Sequence, residues 1–217
     1  MMDDLTLIQR IVVWVLPVIF AITVHEVAHG WVAKQYGDKT ASQLGRLTLN
    51  PIKHMDLLGT LVIPGLLLIT SAGFIFGWAK PVPVDPRYFK NPRRDMAVVA
   101  VAGPVSNLLM AFAWAMIAKL GVVIAIKDVT LPLVLMGMAG IQINLVLALI
   151  NLIPIPPLDG SRIVSGLLSN RLAWQYNKLE RYGFFILIAL LWTGGLAYIL
   201  GYPLNYLFAV FAKMAGM

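Results

Sequence analysis

Five consecutive residues, His25-Glu26-Val27-Ala28-His29, carry the side-chain types of a hydrolytic metal centre. On a helix, positions i and i+4 share a face about 5–6 Å apart, so the two imidazoles can reach one metal ion. Glu26, one residue on, is placed to take a proton from a metal-activated water. The pattern lies inside an apolar run, 11–33, where ionisable side chains are costly and mark function. A bound Zn²⁺ would offset that cost by occupying the lone pairs of both rings. The competing reading, two packed histidines beside a stray carboxylate, leaves the cost uncompensated.

A catalytic zinc takes three protein ligands and keeps one open position. With no Cys among 217 residues, the third ligand must be His or carboxylate. No third His continues the motif, since Gln35 sits six residues after His29. Glu180 lies in a charged Asn-Lys-Leu-Glu-Arg run that reads as a solvated face. Asp159, His54 and Asp56 remain. Asp159 follows a proline-bent exit from an apolar run, an unusual place for an idle carboxylate, although it could also begin a helix at Gly160-Ser161. His54 also reads as a loop histidine near the headgroups.

These residues must be positioned by membrane helices. The chain is 59% hydrophobic and only 12% charged, with a mean hydropathy of +0.82, against about 25% charged in a soluble domain. The apolar surplus must face lipid. The net charge of +7 is spread over short loops and is no nucleic-acid signal. The N-terminus does not read as a cleavable signal peptide, because Asp3 and Asp4 stand where basic residues are needed. The fold class expected is an all-α polytopic membrane protein with about four full spans, at 5–33, 96–118, 131–153 and 183–200. A Gly- and Pro-broken element at 57–79 is either a further span or a re-entrant pair of half-helices. Short strand or extended segments are expected at 44–50 and 80–86, amphipathic interfacial helices over 161–181, and an interfacial tail at 202–214. The prolines at 154, 156 and 157 should force an extended segment.

Loop charge decides how 57–79 runs. Residues 34–56, 78–95 and 154–181 hold four, five and four Lys/Arg, against two in 119–130 and one near the N-terminus. The positive-inside rule places the first three together on the cytoplasmic side. That requires 57–79 to enter and leave on one side, and it lets His29 and Asp159 meet.

His25-Glu26-x-x-His29, Gly103-Pro104-x-x-Asn107 and Asn151-x-x-Pro154-x-Pro156-x-Leu158-Asp159-Gly160 together resemble the site-2 protease family of intramembrane zinc metallopeptidases. Gly45-Arg46-Leu47-Thr48-Leu49-Asn50-Pro51 through His54-x-Asp56 resembles a small bacterial branch of that family without a PDZ domain. The resemblance covers 5–165 and leaves the C-terminal helices of 166–217 unmatched, within a single integral-membrane domain, 1–217. It implies that His25, His29 and Asp159 bind one Zn²⁺ and that Glu26 is general base and acid. It also implies a transmembrane protein substrate, a multi-pass place in the bacterial plasma membrane, and an active site towards the cytoplasm. Asn107 and Asn151 are amides that could hold the substrate backbone or an oxyanion, or could bond helix to helix in lipid. Substrate could add as a strand to an edge at 44–50 or 80–86. The rivals are a metal-ion transporter using the same three ligands, which should show repeats, and a zinc-binding scaffold, which should show a fourth ligand. Nothing in the sequence specifies an oligomeric state.

Overall fold

The computed structural model describes residues 6–63, 66 and 77–217. Its frame is four helices long and apolar enough to cross a membrane. Helix α1 (Leu7–Gln35) starts from a reciprocal cap. The Gln9 N–H donates to Thr6 Oγ1, and the Thr6 N–H donates to Gln9 Oε1. A one-turn helix, α2 (Thr40–Gln43), follows. Helix α3 (Pro92–Ile124) and helix α4 (Lys127–Leu152) form an antiparallel hairpin. They turn through Ala125, which adopts φ +52°. The expected loop at 119–130 is therefore mostly helix.

Beyond α4 come α5 (Asp159–Leu167), α6 (Asn170–Asn177), α7 (Glu180–Trp192) and α8 (Gly195–Met214). The last span differs from expectation. The apolar run over 183–200 is divided by Gly194, whose φ of +74° ends one helix and starts another. The fourth candidate span is therefore α8, which includes the aromatic stretch expected to be an interfacial tail. Ala215 and Phe211 pack with Ala111, Trp114 and Leu145 of the α3–α4 hairpin.

Contacts between the spans fix their directions. Val13 of α1 packs against Leu135 and Ala139 of α4, while His29 and Ala33 meet Val99 of α3. Helix α1 thus runs parallel to α4 and antiparallel to α3. The end of α1, the start of α3 and the end of α4 all lie at one end of the bundle, as the loop charges required. The 57–79 element agrees where it is described. Leu57–Val62 forms a π-helical turn, the Trp78 N–H donates to the Gly59 carbonyl at 3.0 Å, and Thr60 Oγ1 donates to the Trp78 carbonyl. The chain therefore comes back to the level at which it left. The middle of the expected re-entrant element, 64–65 and 67–76, lies outside the described residues.

Among the described residues there is no strand. Residues 44–50, expected as a short strand, are turns and bends in which Gly45 has φ +64°. Residues 77–85 are extended but pair with no ladder. The 153–158 exit is not extended either. It folds as consecutive turns, closed by Ile155 N–H to Ile153 O (2.8 Å) and Leu158 N–H to Ile155 O (3.0 Å). Prolines forbid helix here but not a tight reversal.

Candidate metal centre

Helix α1 places His25 and His29 on one face, ten and six residues before its end at Gln35, or about 15 and 9 Å along the axis. Both residues are buried, at 7% and 9% exposure. They face α3 at Gly103, where an added Cβ would lie 2.5 Å from both His25 Cε1 and His29 Nε2. Only a glycine lets α3 approach the two rings this closely. Asp159 is the first residue of α5. Its helix start is folded onto the end of α4 so tightly that a Cβ at Gly160 would lie 2.3 Å from the Leu152 carbonyl.

The result is a triangle. His25 Nε2 and His29 Nε2 are 3.1 Å apart, and Asp159 Oδ2 lies 3.3 and 3.2 Å from them. Among the described residues, these are the His and carboxylate atoms that converge closely enough to hold a metal ion. The hydrogen bonds identify what those atoms present to one another. His25 Nδ1 lies 2.6 Å from Asn107 Oδ1, and His29 Nδ1 lies 2.8 Å from the Val99 carbonyl. Both partners are acceptors, so both Nδ1 atoms carry hydrogen, and each ring when neutral turns the lone pair of Nε2 inward. Asp159 Oδ2 is buried without a hydrogen-bond partner. When ionised, that carboxyl presents only lone pairs to the two rings. Two lone pairs and a carboxylate oxygen facing each other in low dielectric repel unless a proton or a metal cation sits among them. Four-coordinate zinc with ligands at about 2.0–2.1 Å holds its donor atoms roughly 3.3 Å apart, close to the edges of this triangle. The donor set fits zinc.

The other expected residues fall into place differently. Glu26 Oε2 accepts the Val82 N–H at 2.7 Å, so the extended 77–85 segment lies over the motif as a strap. That segment is not the free sheet edge expected for substrate. Pro81 and Pro83 have no N–H, the Lys80 and Val82 N–H groups go to the His54 carbonyl and Glu26, and that of Asp85 goes to Asp38. Asn107 is fully buried, and its Nδ2 donates to the Ala21 carbonyl (3.1 Å) and Asn144 Oδ1 (2.9 Å). With both amide hydrogens committed, it orients His25 and has no donor left for an oxyanion. Asn151 Nδ2 bonds its own helix at the Leu147 carbonyl. His54 stays out of the triangle; its Nε2 donates to the Thr48 carbonyl at 2.8 Å. Asp56 caps the π-helical turn by accepting the Gly59 N–H.

Two residues to which the sequence analysis gave no role hold the strap. Asp38, 1% exposed, accepts the Asp85 N–H at 2.7 Å while binding both donors of Thr40. Arg46 Nη2 donates to the Lys80 carbonyl at 2.8 Å. A buried-charge signal was present in neither, because both lie in a polar loop.

Comparison with known proteins follows the same lines. The chain matches the family model described as Peptidase family M50 over residues 116–194, which include Asp159 but begin beyond the two histidines. It is 42% identical over 194 residues to the "Putative zinc metalloprotease YwhC" of Bacillus subtilis, covering 88% of this chain and 85% of that protein. It is 30% identical over 182 residues to the "Putative zinc metalloprotease Rip2" of Mycolicibacterium smegmatis, covering 82% and 66%. No solved structure gives a significant match.

Proposed function

Because the chain belongs to peptidase family M50, the site-2 protease family, and carries the triangle just described, we propose that it is an intramembrane zinc metalloprotease cleaving peptide bonds within or near transmembrane segments. The observation that supports this reading is the convergence of His25 Nε2, His29 Nε2 and Asp159 Oδ2 at distances that suit one zinc ion. These three residues would hold the zinc, and when bound it would polarise the scissile carbonyl and make water nucleophilic near neutral pH.

The remaining steps belong to the protein. Glu26 takes the proton of the attacking water and delivers it to the leaving amine. With Oε2 held by the Val82 N–H, Oε1 is the atom left to carry that proton. The Asn107 amide and the Val99 carbonyl keep both rings turned with Nε2 inward. A transmembrane substrate must unwind locally before its peptide bonds can be reached, because in a helix each carbonyl is already bonded. The site lies at the end of the bundle shared by the basic loops, and we assign that end to the cytoplasm. The whole chain acts as one membrane domain.

Glu26→Gln tests the reading. The variant keeps the ligand set and should retain zinc, yet lose cleavage of a transmembrane reporter peptide. Turnover equal to wild type would return the site to transport or to a structural metal.

A further inference from the structure

We propose that Asn144, on α4 and outside every motif described above, is a positioning residue for the metal centre. It sets the direction of the Asn107 amide and, through it, which ring nitrogen His25 turns towards Asp159. The proposal rests on the metal-centre reading above.

The argument is one of hydrogen-bond polarity. A chain of bonds begins at the Gly140 carbonyl, which can only accept. Asn144 Nδ2 donates to it at 2.8 Å, so Asn144 Oδ1 must lie at the other end of that amide. Asn144 Oδ1 accepts from Asn107 Nδ2 at 2.9 Å. The second hydrogen on Asn107 Nδ2 goes to the Ala21 carbonyl. With two acceptors on that side the Asn107 amide cannot flip, since a flip would set oxygen against oxygen twice. Asn107 Oδ1 is thus left facing His25 Nδ1 at 2.6 Å, which must then be the protonated nitrogen. The lone pair of His25 falls on Nε2, beside Asp159.

Both asparagines are 0% exposed, so bulk water cannot take over either bond, and a buried polar group left unpaired is costly. Without Asn144 only the Ala21 carbonyl opposes the flip, and the His25 tautomer loses half of what selects it. Outer partners of this kind, contacting a ligand's other nitrogen, set metal affinity. Here the selection is carried one residue further and ties α4 to a ligand on α1. His29 needs no such chain, because its partner is a backbone carbonyl that cannot turn round.

The test uses the detergent-purified full chain and measures the Zn²⁺ dissociation constant by competition with a chromophoric chelator. Asn144→Ser is the main variant. Its hydroxyl can bond back to the Gly140 carbonyl but is too short to reach Asn107. Asn144→Leu is a second, shape-filling variant should the first not fold. Asn107→Ser should weaken zinc binding about 10–100-fold, and Asn144→Ser by a part of that, about 3–10-fold. The double variant should be no weaker than Asn107→Ser, because Asn144 acts through Asn107. Histidine-labelled wild type, observed by ¹⁵N NMR, should show the His25 proton on Nδ1, with exchange accelerated in Asn144→Ser. Wild-type affinity in both Asn144 variants, or an undiminished effect in the Asn107→Ser background, would overturn the proposal and leave the metal centre standing. A wild-type protein that binds no zinc would overturn both.

Discussion

Gly103→Ala tests the site geometry through a single methyl group. The new Cβ would lie 2.5 Å from His25 Cε1, 2.5 Å from His29 Nε2 and 2.6 Å from His29 Cε1. Carbon contacts settle near 3.5–4.0 Å, so α3 or the two rings must give by about 1 Å. The rings have little room, because His25 is tied to Asn107 at 2.6 Å and His29 to the Val99 carbonyl at 2.8 Å. Overpacking of this kind costs about 1–3 kcal/mol of stability. A displacement of about 1 Å at reacting groups costs on the order of 100-fold in rate, and ligand positions tolerate only about 0.2 Å. Gly137→Ala is the matched control. Its Cβ would lie 2.5 Å from Ala118 Cβ and 2.9 Å from Ala118 Cα, an equal crowding of α3 against α4 away from the histidines. Thermal stability, zinc affinity and cleavage of a transmembrane reporter are measured for both variants. Both should lose comparable stability. Gly103→Ala alone should lose zinc affinity, by 10-fold or more, and about 100-fold in kcat/KM. If Gly103→Ala binds zinc and cleaves like Gly137→Ala, the two rings are not held against α3 as described, and the reasoning fails.

Val82→Pro removes the N–H that Glu26 accepts, in a backbone already extended between two prolines. Cleavage should fall about 10–100-fold, the worth of a hydrogen bond to a charged group, with zinc affinity unchanged; full activity would show that the strap does not orient Glu26. Asp38→Ala unties the same strap at Asp85 and should increase protease sensitivity at 80–90 in limited proteolysis, without changing bound zinc. Chelation should abolish cleavage and added Zn²⁺ restore it, whereas Asp159→Ala should remain inactive at the same added zinc. Since the chain has no Cys, single cysteines report topology directly. At Ile52, Tyr88 and Trp174, all exposed, an impermeant reagent should label from one side, and at Val123 from the other.

The chemistry was legible because it is local. The i, i+4 spacing of His25 and His29 follows from the helical repeat, and the apolar runs mark spans whatever they pack against. Loop charge is likewise additive along the chain, and it led to the arrangement in which the ends of α1 and α4 share one end of the bundle. Boundaries were less legible where one glycine outweighs a whole apolar run. Gly194 splits the last one and moves the fourth span to α8.

The site's partners were not legible, because hydrogen-bond direction belongs to no single segment. Asn107 and Asn144 are 37 residues apart, and neither side chain reveals which end of its amide faces a carbonyl until the helices are packed. Glu26 and Val82 meet only after the chain has left α1 and come back beside Trp78. What the sequence determined by itself was a pair of histidines spaced to share a metal ion inside an apolar run, with Asp159, His54 and Asp56 left as candidates for a third ligand. Which nitrogen, which oxygen and which backbone N–H meet there was decided by tertiary structure, because the cost of an unpaired polar group depends on where the packed helices leave it.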